Sequence, residues 1–150
     1  MKAFYDSPWQ QARLIHAARR WLGTPFVPHA CLPQAGVDCV QLVVAIFWET
    51  YGIDDRQLPD YTMDGGEHRD RSQVLEWLDA SPRFERLVDG APVRTGDVVC
   101  FRLGRVPHHV GLMLAPPIFI HAMRQYGVIE SRLDDPSFAK RLAAVYRPVQ

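Results

Sequence analysis

The stretch GVDCVQLVVAIFWETYG, residues 36–52, constrains this chain more than any other. From Val40 to Trp48 only Gln41 is polar, so a helix here must be buried on nearly all sides and the rest of the chain must wrap it. Gly36 and Asp38 set up a chain reversal and a helix start, with Asp38 a natural N-cap. Cys39 then falls in the first helical turn, where unpaired backbone N–H groups and the positive end of the helix dipole favour a thiolate. On this helix alone Cys39 reads equally as a sulfur nucleophile or as a small buried hydrophobe, since free cysteine is among the most buried residue types.

At 150 residues the chain suits one domain, 1–150, burying roughly 70% of its unfolded surface. Seventeen basic and seventeen acidic residues cancel, which leaves no electrostatic footprint for nucleic acid or anionic lipid. Neither is expected as a partner. The opening MKAFYDSPWQ has no apolar signal core, and no run approaches the ~20 apolar residues of a membrane span. Synthesis and folding in the cytoplasm without a signal peptide are therefore expected. Cysteines at 31, 39 and 100 are irregularly spaced and argue against a disulfide framework.

Ser7-Pro8-Trp9-Gln10 reads as a capped helix start, continued by the stripe Leu14, Ile15, Ala18, Trp21 and Leu22 and stopped by Gly23. Thr24 to Val37 holds three prolines, so it is expected to be an irregular loop that walls one side of any site at Cys39. A polar excursion follows at about 53–81, with a short helical pattern in Ser72 to Ala80. From Ala91 the period becomes strand-like. VVCF (98–101), HVGLML (109–114), IFIHAM (118–123), VIES (128–131) and AAVYR (143–147) are short apolar runs between turn residues. They predict an antiparallel meander in an α+β layout, with the helices packed on one sheet face.

His109 and His121 lie on consecutive predicted strands. If Leu112 pairs with Ile118, the register also sets His109 opposite His121 on one face. A cysteine at a helix start, a strand histidine and a second polar residue beside it make a nucleophile, base and orienter set. Alternation puts His108 on the other face from His109. A metal site from His108, His109, His121 and Cys39 lacks any short ligand spacing, so no metal and no cofactor are expected.

WLGTPF, GVDCVQLV, GDVVCF, HHVGLML and IFIHA, in this order, resemble the successive motifs of the NlpC-type bacterial cell-wall cysteine peptidases, from about Trp21 to Val149. The TPF…H…G…DC loop, the ETYG helix end and RLAAVYRP are closest to the branch encoded beside phage-tail and gene-transfer-agent genes. The resemblance implies a papain-like fold, a central helix with an N-terminal cysteine packed on a five- to six-stranded antiparallel sheet. It implies cleavage of peptidoglycan stem peptides, commonly between γ-D-glutamate and a diamino acid. Cys39 would be the nucleophile, His109 the base and His121 the third polar residue. Family members usually carry tyrosine at the position of Phe26, small residues where Val40 and Gln41 stand, and tryptophan-glycine-glycine in place of Pro28-His29-Ala30. Phe26, His29, Asp38 and Gln41 are accordingly the substrate and oxyanion candidates, with the Cys39 backbone N–H as one oxyanion donor and His29 as another. Action at the cell wall or periplasm, carried by phage-tail or related particle proteins, is the expected setting. A weakly active or inactive tail-tip assembly protein, a secreted antibacterial amidase effector and an acyltransferase or other amidase would use the same fold.

Overall fold

A computed structural model describes residues 2–54, 58, 61, 72–104 and 107–150. The first helix, α1 (Pro8–Arg19), opens on the predicted capping box: the Ser7 hydroxyl accepts from the Gln10 N–H at 3.2 Å, and the Gln10 side chain accepts from the Ser7 N–H at 3.1 Å. The helix ends at Arg19, short of the predicted stop at Gly23. Tight turns take over, with Trp21 N–H donating to the Ala18 carbonyl and Thr24 N–H to that of Trp21. They swing Trp21 into the core and leave Leu22 at the surface.

The loop expected to be irregular contains a small hairpin, β1 (Cys31–Leu32) and β2 (Gly36–Val37), paired Cys31↔Val37 and Leu32↔Gly36. All three prolines lie outside the paired residues, so none removes a ladder donor. Asp38 then caps α2 (Cys39–Thr50), its Oδ1 accepting from the Gln41 N–H at 2.8 Å. Leu42, Ile46 and Phe47 are fully buried, each stabilising the fold by about 1.5–3 kcal/mol. Trp48 departs from the expected all-round burial and is 67% exposed. The short helical pattern of Ser72 to Ala80 forms α3 (Gln73–Ala80), with Ser72 as its N-cap. Of the excursion at 53–81, the structure describes Ile53, Asp54, Leu58, Tyr61 and 72–81; the remainder lies outside the described residues.

Six strands form the main sheet: β3 (Phe84–Arg86), β4 (Val98–Arg102), β5 (Pro107–Met113), β6 (Ile118–Met123), β7 (Gly127–Arg132) and β8 (Leu142–Pro148), in the order β3-β8-β4-β5-β6-β7. The meander holds from β4 to β7. It fails at β8, which crosses the sheet to pair with β4 instead of following β7. Val98 to Phe101 of β4 are buried along their whole length, so both edges of that strand need partners, whereas β7 ends in the half-buried Glu130 and Ser131 and the exposed Arg132. A short α4 (Pro136–Ala139) turns the chain back. The unpredicted β3 then pairs along β8.

The two faces are covered differently. Even-numbered positions, among them Val98, Cys100, Val110, Leu112 and Ile120, pack with α1 and α2. Val99, Phe101, Met113 and Phe119 point the other way into a second apolar cluster, which Phe138 of α4 joins. Helices were expected on one face only; the four-residue α4 is too short to carry a periodic signal. The result is a papain-like α+β fold, with the cysteine-bearing helix against an antiparallel sheet.

Candidate active site

Cys39 is the first residue of α2 and is 1% exposed. Its thiol points at the His108 carbonyl, Sγ to O 4.0 Å, and the Val110 N–H reaches the same sulfur. The sulfur thus rests against the backbone of β5 on both sides of His109. Cys39, His108 and His109 line one cleft of about 260 Å³ with Phe26, Met123 and Arg124.

The sheet itself opens this cleft. Among the described residues β5 pairs with β6 only through Leu112↔Ile120 and Met113↔Phe119. Gly111 marks the closest approach, since a Cβ there would stand 2.8 Å from the Phe119 ring. Toward Pro107 the strands part. This parting lets the start of α2, which packs on the even face, share one cleft with His109, whose parity belongs to the other.

The observed register is two residues away from the predicted one, so His109 and His121 are diagonal neighbours, not directly opposed. An even shift keeps both side chains on the same face. They still meet: His109 Nε2 and His121 Nδ1 are 2.8 Å apart, and His121 Nε2 lies 2.8 Å from the Ser131 hydroxyl. Phe119 and Phe138 pack around the His121 ring. Ser131 was not singled out from the sequence, although its spacing from Ile129, the β7 partner of His121, places it on the same face. His109 Nδ1 is the ring nitrogen left over. His108 is half-buried and contributes its carbonyl to the thiol.

Burial decides the charge state. Desolvation pushes the Cys39 thiol up to about 12, against the pull of the surrounding backbone N–H groups, and the Asp38 carboxylate adds to the rise. Desolvation also holds His109 and His121 well below the ordinary histidine range, with their mutual proximity depressing His109 further. The resting pair is therefore a neutral thiol beside a neutral imidazole, and the thiolate expected from the helix dipole is outweighed. Cys100 is fully buried on β4 and its thiol is likewise pushed up by desolvation, whereas Cys31 is exposed.

The remaining candidates divide. Phe26 lines the cleft. His29, Asp38 and Gln41 form a second cluster at the start of α2. Asp38 Oδ2 accepts from the His29 backbone N–H at 2.6 Å and from the Tyr61 hydroxyl at 2.8 Å, and the Gln41 amide donates to that hydroxyl at 3.2 Å. Asp38 is wholly buried and engaged through both oxygens, and its work is to hold the helix start. The His29 backbone N–H is consumed there, so the structure does not present it as an oxyanion donor. Tyr61 was missed because it stands in a polar stretch without periodicity. Among the described residues no group of three or more His, Cys, Asp or Glu is placed to hold a metal ion.

The NlpC/P60 family matches residues 23–147. A probable endopeptidase of Haemophilus influenzae is 27% identical over 138 residues, covering 91% of this chain and 73% of that protein. The Escherichia coli K12 protein named murein DD-endopeptidase MepS/murein LD-carboxypeptidase is 31% identical over 108 residues, 72% of this chain and 47% of its own length. The chain thus spans about half of that relative. Among solved structures, the NlpC/p60 domain of peptidoglycan hydrolase SagA has a TM-score of 0.62 at 18% identity, covering 90% of this chain and 96% of that one. A lipoprotein-like NLP/P60 family protein of Staphylococcus aureus reaches 0.67 at 18% identity, over 99% of this chain and 44% of that one. At such identity the structures speak for the fold alone, and the sequence match supplies the rest. The chain belongs to the NlpC/P60 family.

Proposed function

We propose that the protein is a cysteine endopeptidase hydrolysing peptidoglycan stem peptides, at the bond between γ-D-glutamate and a diamino acid. The observation that carries this reading is that Cys39 and His109 line one cleft, with His109 linked through His121 to Ser131. For His109 to act as base, its Nδ1 must be unprotonated, so its proton sits on Nε2 and is donated to His121 Nδ1. His121 then carries its own proton on Nε2 and donates it to Ser131. Ser131, as acceptor, fixes the tautomer of both rings.

As Sγ attacks the substrate carbonyl, its proton passes to His109 Nδ1, and the imidazolium keeps its hydrogen bond to His121. His109 returns that proton to the leaving amine as the thioester forms. Water then attacks the thioester with His109 again as base, releasing the acid and the thiol. The Cys39 backbone N–H serves the developing oxyanion, the Gln41 N–H being taken by Asp38, and Phe26 adds no hydroxyl. The relative named as a murein endopeptidase supports this substrate class. Carriage by a phage tail or related particle rests on the motif resemblance alone and predicts co-purification with such particles.

Incubation with defined stem peptides under reducing conditions, with products identified by mass spectrometry, tests the reading. Scission after γ-D-glutamate is expected. Products at another stem bond would keep the enzyme and change its specificity. No more cleavage than Cys39→Ala gives, on several stem types, would hand the case to an assembly protein that keeps the fold for binding.

A further inference from the structure

The cleft beside Cys39 is small for the peptide it is proposed to take. At about 260 Å³ it falls below the roughly 300–1,000 Å³ of pockets that enclose a drug-sized ligand, so a stem peptide must lie partly against its rim. Gln125 and Tyr126, in the turn between β6 and β7, line the cleft and are exposed. Seven large apolar side chains are exposed among the described residues, and of these Tyr126, at 68%, is the one that lines the cleft. A single exposed aromatic elsewhere on a surface needs no explanation. At the mouth of a cleft, the same ring is apolar area that a bound ligand can cover, with its hydroxyl left in water.

The backbone fixes where that ring stands. Tyr126 N–H closes the turn onto the Met123 carbonyl at 3.1 Å, and Gly127, at φ 73°, starts β7. Gly127 lies so close to the loop before Phe26 that a Cβ there would stand 2.5 Å from the Thr24 oxygen. Val128 N–H donates to that oxygen at 2.9 Å, and Gly23 N–H to the Val128 carbonyl at 3.0 Å. The turn is therefore joined to the segment that carries Phe26, which lines the same cleft. A wall held in this way loses little further freedom when a ligand lies against it.

We propose that the Tyr126 ring packs on the γ-linked glutamyl residue of the stem peptide and thereby selects γ-linked over α-linked glutamyl peptides. The inference rests on the peptidase reading of the cleft. The two linkages differ in what they lay along the rim. A γ-linked glutamate places two methylene groups in the main chain ahead of the scissile carbonyl. An α-linked one places its Cα there and turns both methylenes into a side chain that ends in a carboxylate. A ring that shares the cleft with Cys39 stands beside the chain that Cys39 attacks, so it covers the methylenes of the γ-linked form. Covering two methylenes corresponds to about tenfold in affinity.

Binding to the Cys39→Ala protein, which leaves peptides intact, provides the test. Calorimetric titration compares a γ-D-glutamyl-diaminopimelate stem peptide with the same peptide joined through the glutamyl α-carboxylate. The γ-linked form should bind about tenfold more tightly. Tyr126→Ala in the same background should remove that preference, and Tyr126→Phe, which keeps the ring, should retain it. Tyr126 is exposed, so these substitutions leave the core intact. Equal affinity for both peptides, a preference that survives Tyr126→Ala or is lost in Tyr126→Phe, or no binding of either peptide would overturn the proposal. Wild-type hydrolysis of the γ-linked peptide, measured alongside, separates the two ideas. Cleavage without a Tyr126-dependent preference removes the role of Tyr126 and keeps the peptidase, whereas Tyr126-dependent binding without cleavage does the reverse.

Discussion

Cys39 owes its place in the site to position more than to acidity. With thiol and imidazole both buried and neutral, the proposed reaction moves the proton only when substrate arrives, and that proposal turns on which histidine receives it. His109 has one ring nitrogen engaged by His121 and lines the same cleft as Cys39. His108 offers the sulfur a backbone carbonyl, which any residue supplies. His108→Ala should therefore retain most of the cleavage rate. His121→Ala should lower kcat by about ten- to a hundredfold, less than the 10²–10⁴ typical of losing the base itself, because water can partly replace an orienting group. Steady-state kinetics on a stem peptide reads all three, and a His108→Ala loss as deep as that of His109→Ala would contradict the geometry. At this scale the sequence was informative, since Cys39, His109 and His121 all carry spacing signals. Ser131 and Tyr61 were not legible, because a single hydroxyl on an edge strand or in an aperiodic stretch carries none.

The elements were legible where local rules decide them and opaque where the sheet does. Ser7 and Asp38 each announced a helix through a cap, and each helix starts there. The placement of β8 beside β4 was hidden, because strand order reflects the burial of both edges of β4 and not the periodicity of β8. The β5–β6 register was missed by two residues for a similar reason: Gly111 and Phe119 fix it across the strands. One side-chain pair secures the crossing. Arg147 of β8 grips Asp97, at the turn into β4, through Nε to Oδ1 at 3.0 Å and Nη2 to Oδ2 at 2.8 Å, and Asp97 is 1% exposed. Asp97→Ala strands a half-buried guanidinium and the Arg94 N–H that Asp97 also accepts. It should cost about 3–5 kcal/mol in urea unfolding, a large share of a typical domain's stability. Asp97→Ala combined with Arg147→Met should recover part of that loss. A change below about 1 kcal/mol for the single variant would show that the pair does not anchor β8.

Across the whole molecule the same burial that keeps the site neutral makes folding sensitive to acid. His109 and His121 are held neutral well below the ordinary histidine range, while in the unfolded chain both take up protons near pH 6.5. Between those limits the unfolded state binds more protons, so stability falls as pH drops below about 6.5, by up to about 1.4 kcal/mol per pH unit for each histidine. Urea midpoints at pH 7.5, 6 and 5 should show this decline, and His121→Asn should make it shallower; a flat profile would mean that both rings protonate freely in the fold. The claim on which the account turns is that Cys39 and His109 act as one unit on a stem peptide. Its most direct measurement is kcat/KM for the wild type, Cys39→Ala, His109→Ala and the double variant on one defined stem peptide. The account predicts that either single substitution removes cleavage to the level of the double, with no further loss on combining them. Cleavage retained by Cys39→Ala, or losses that add in the double variant, would contradict it.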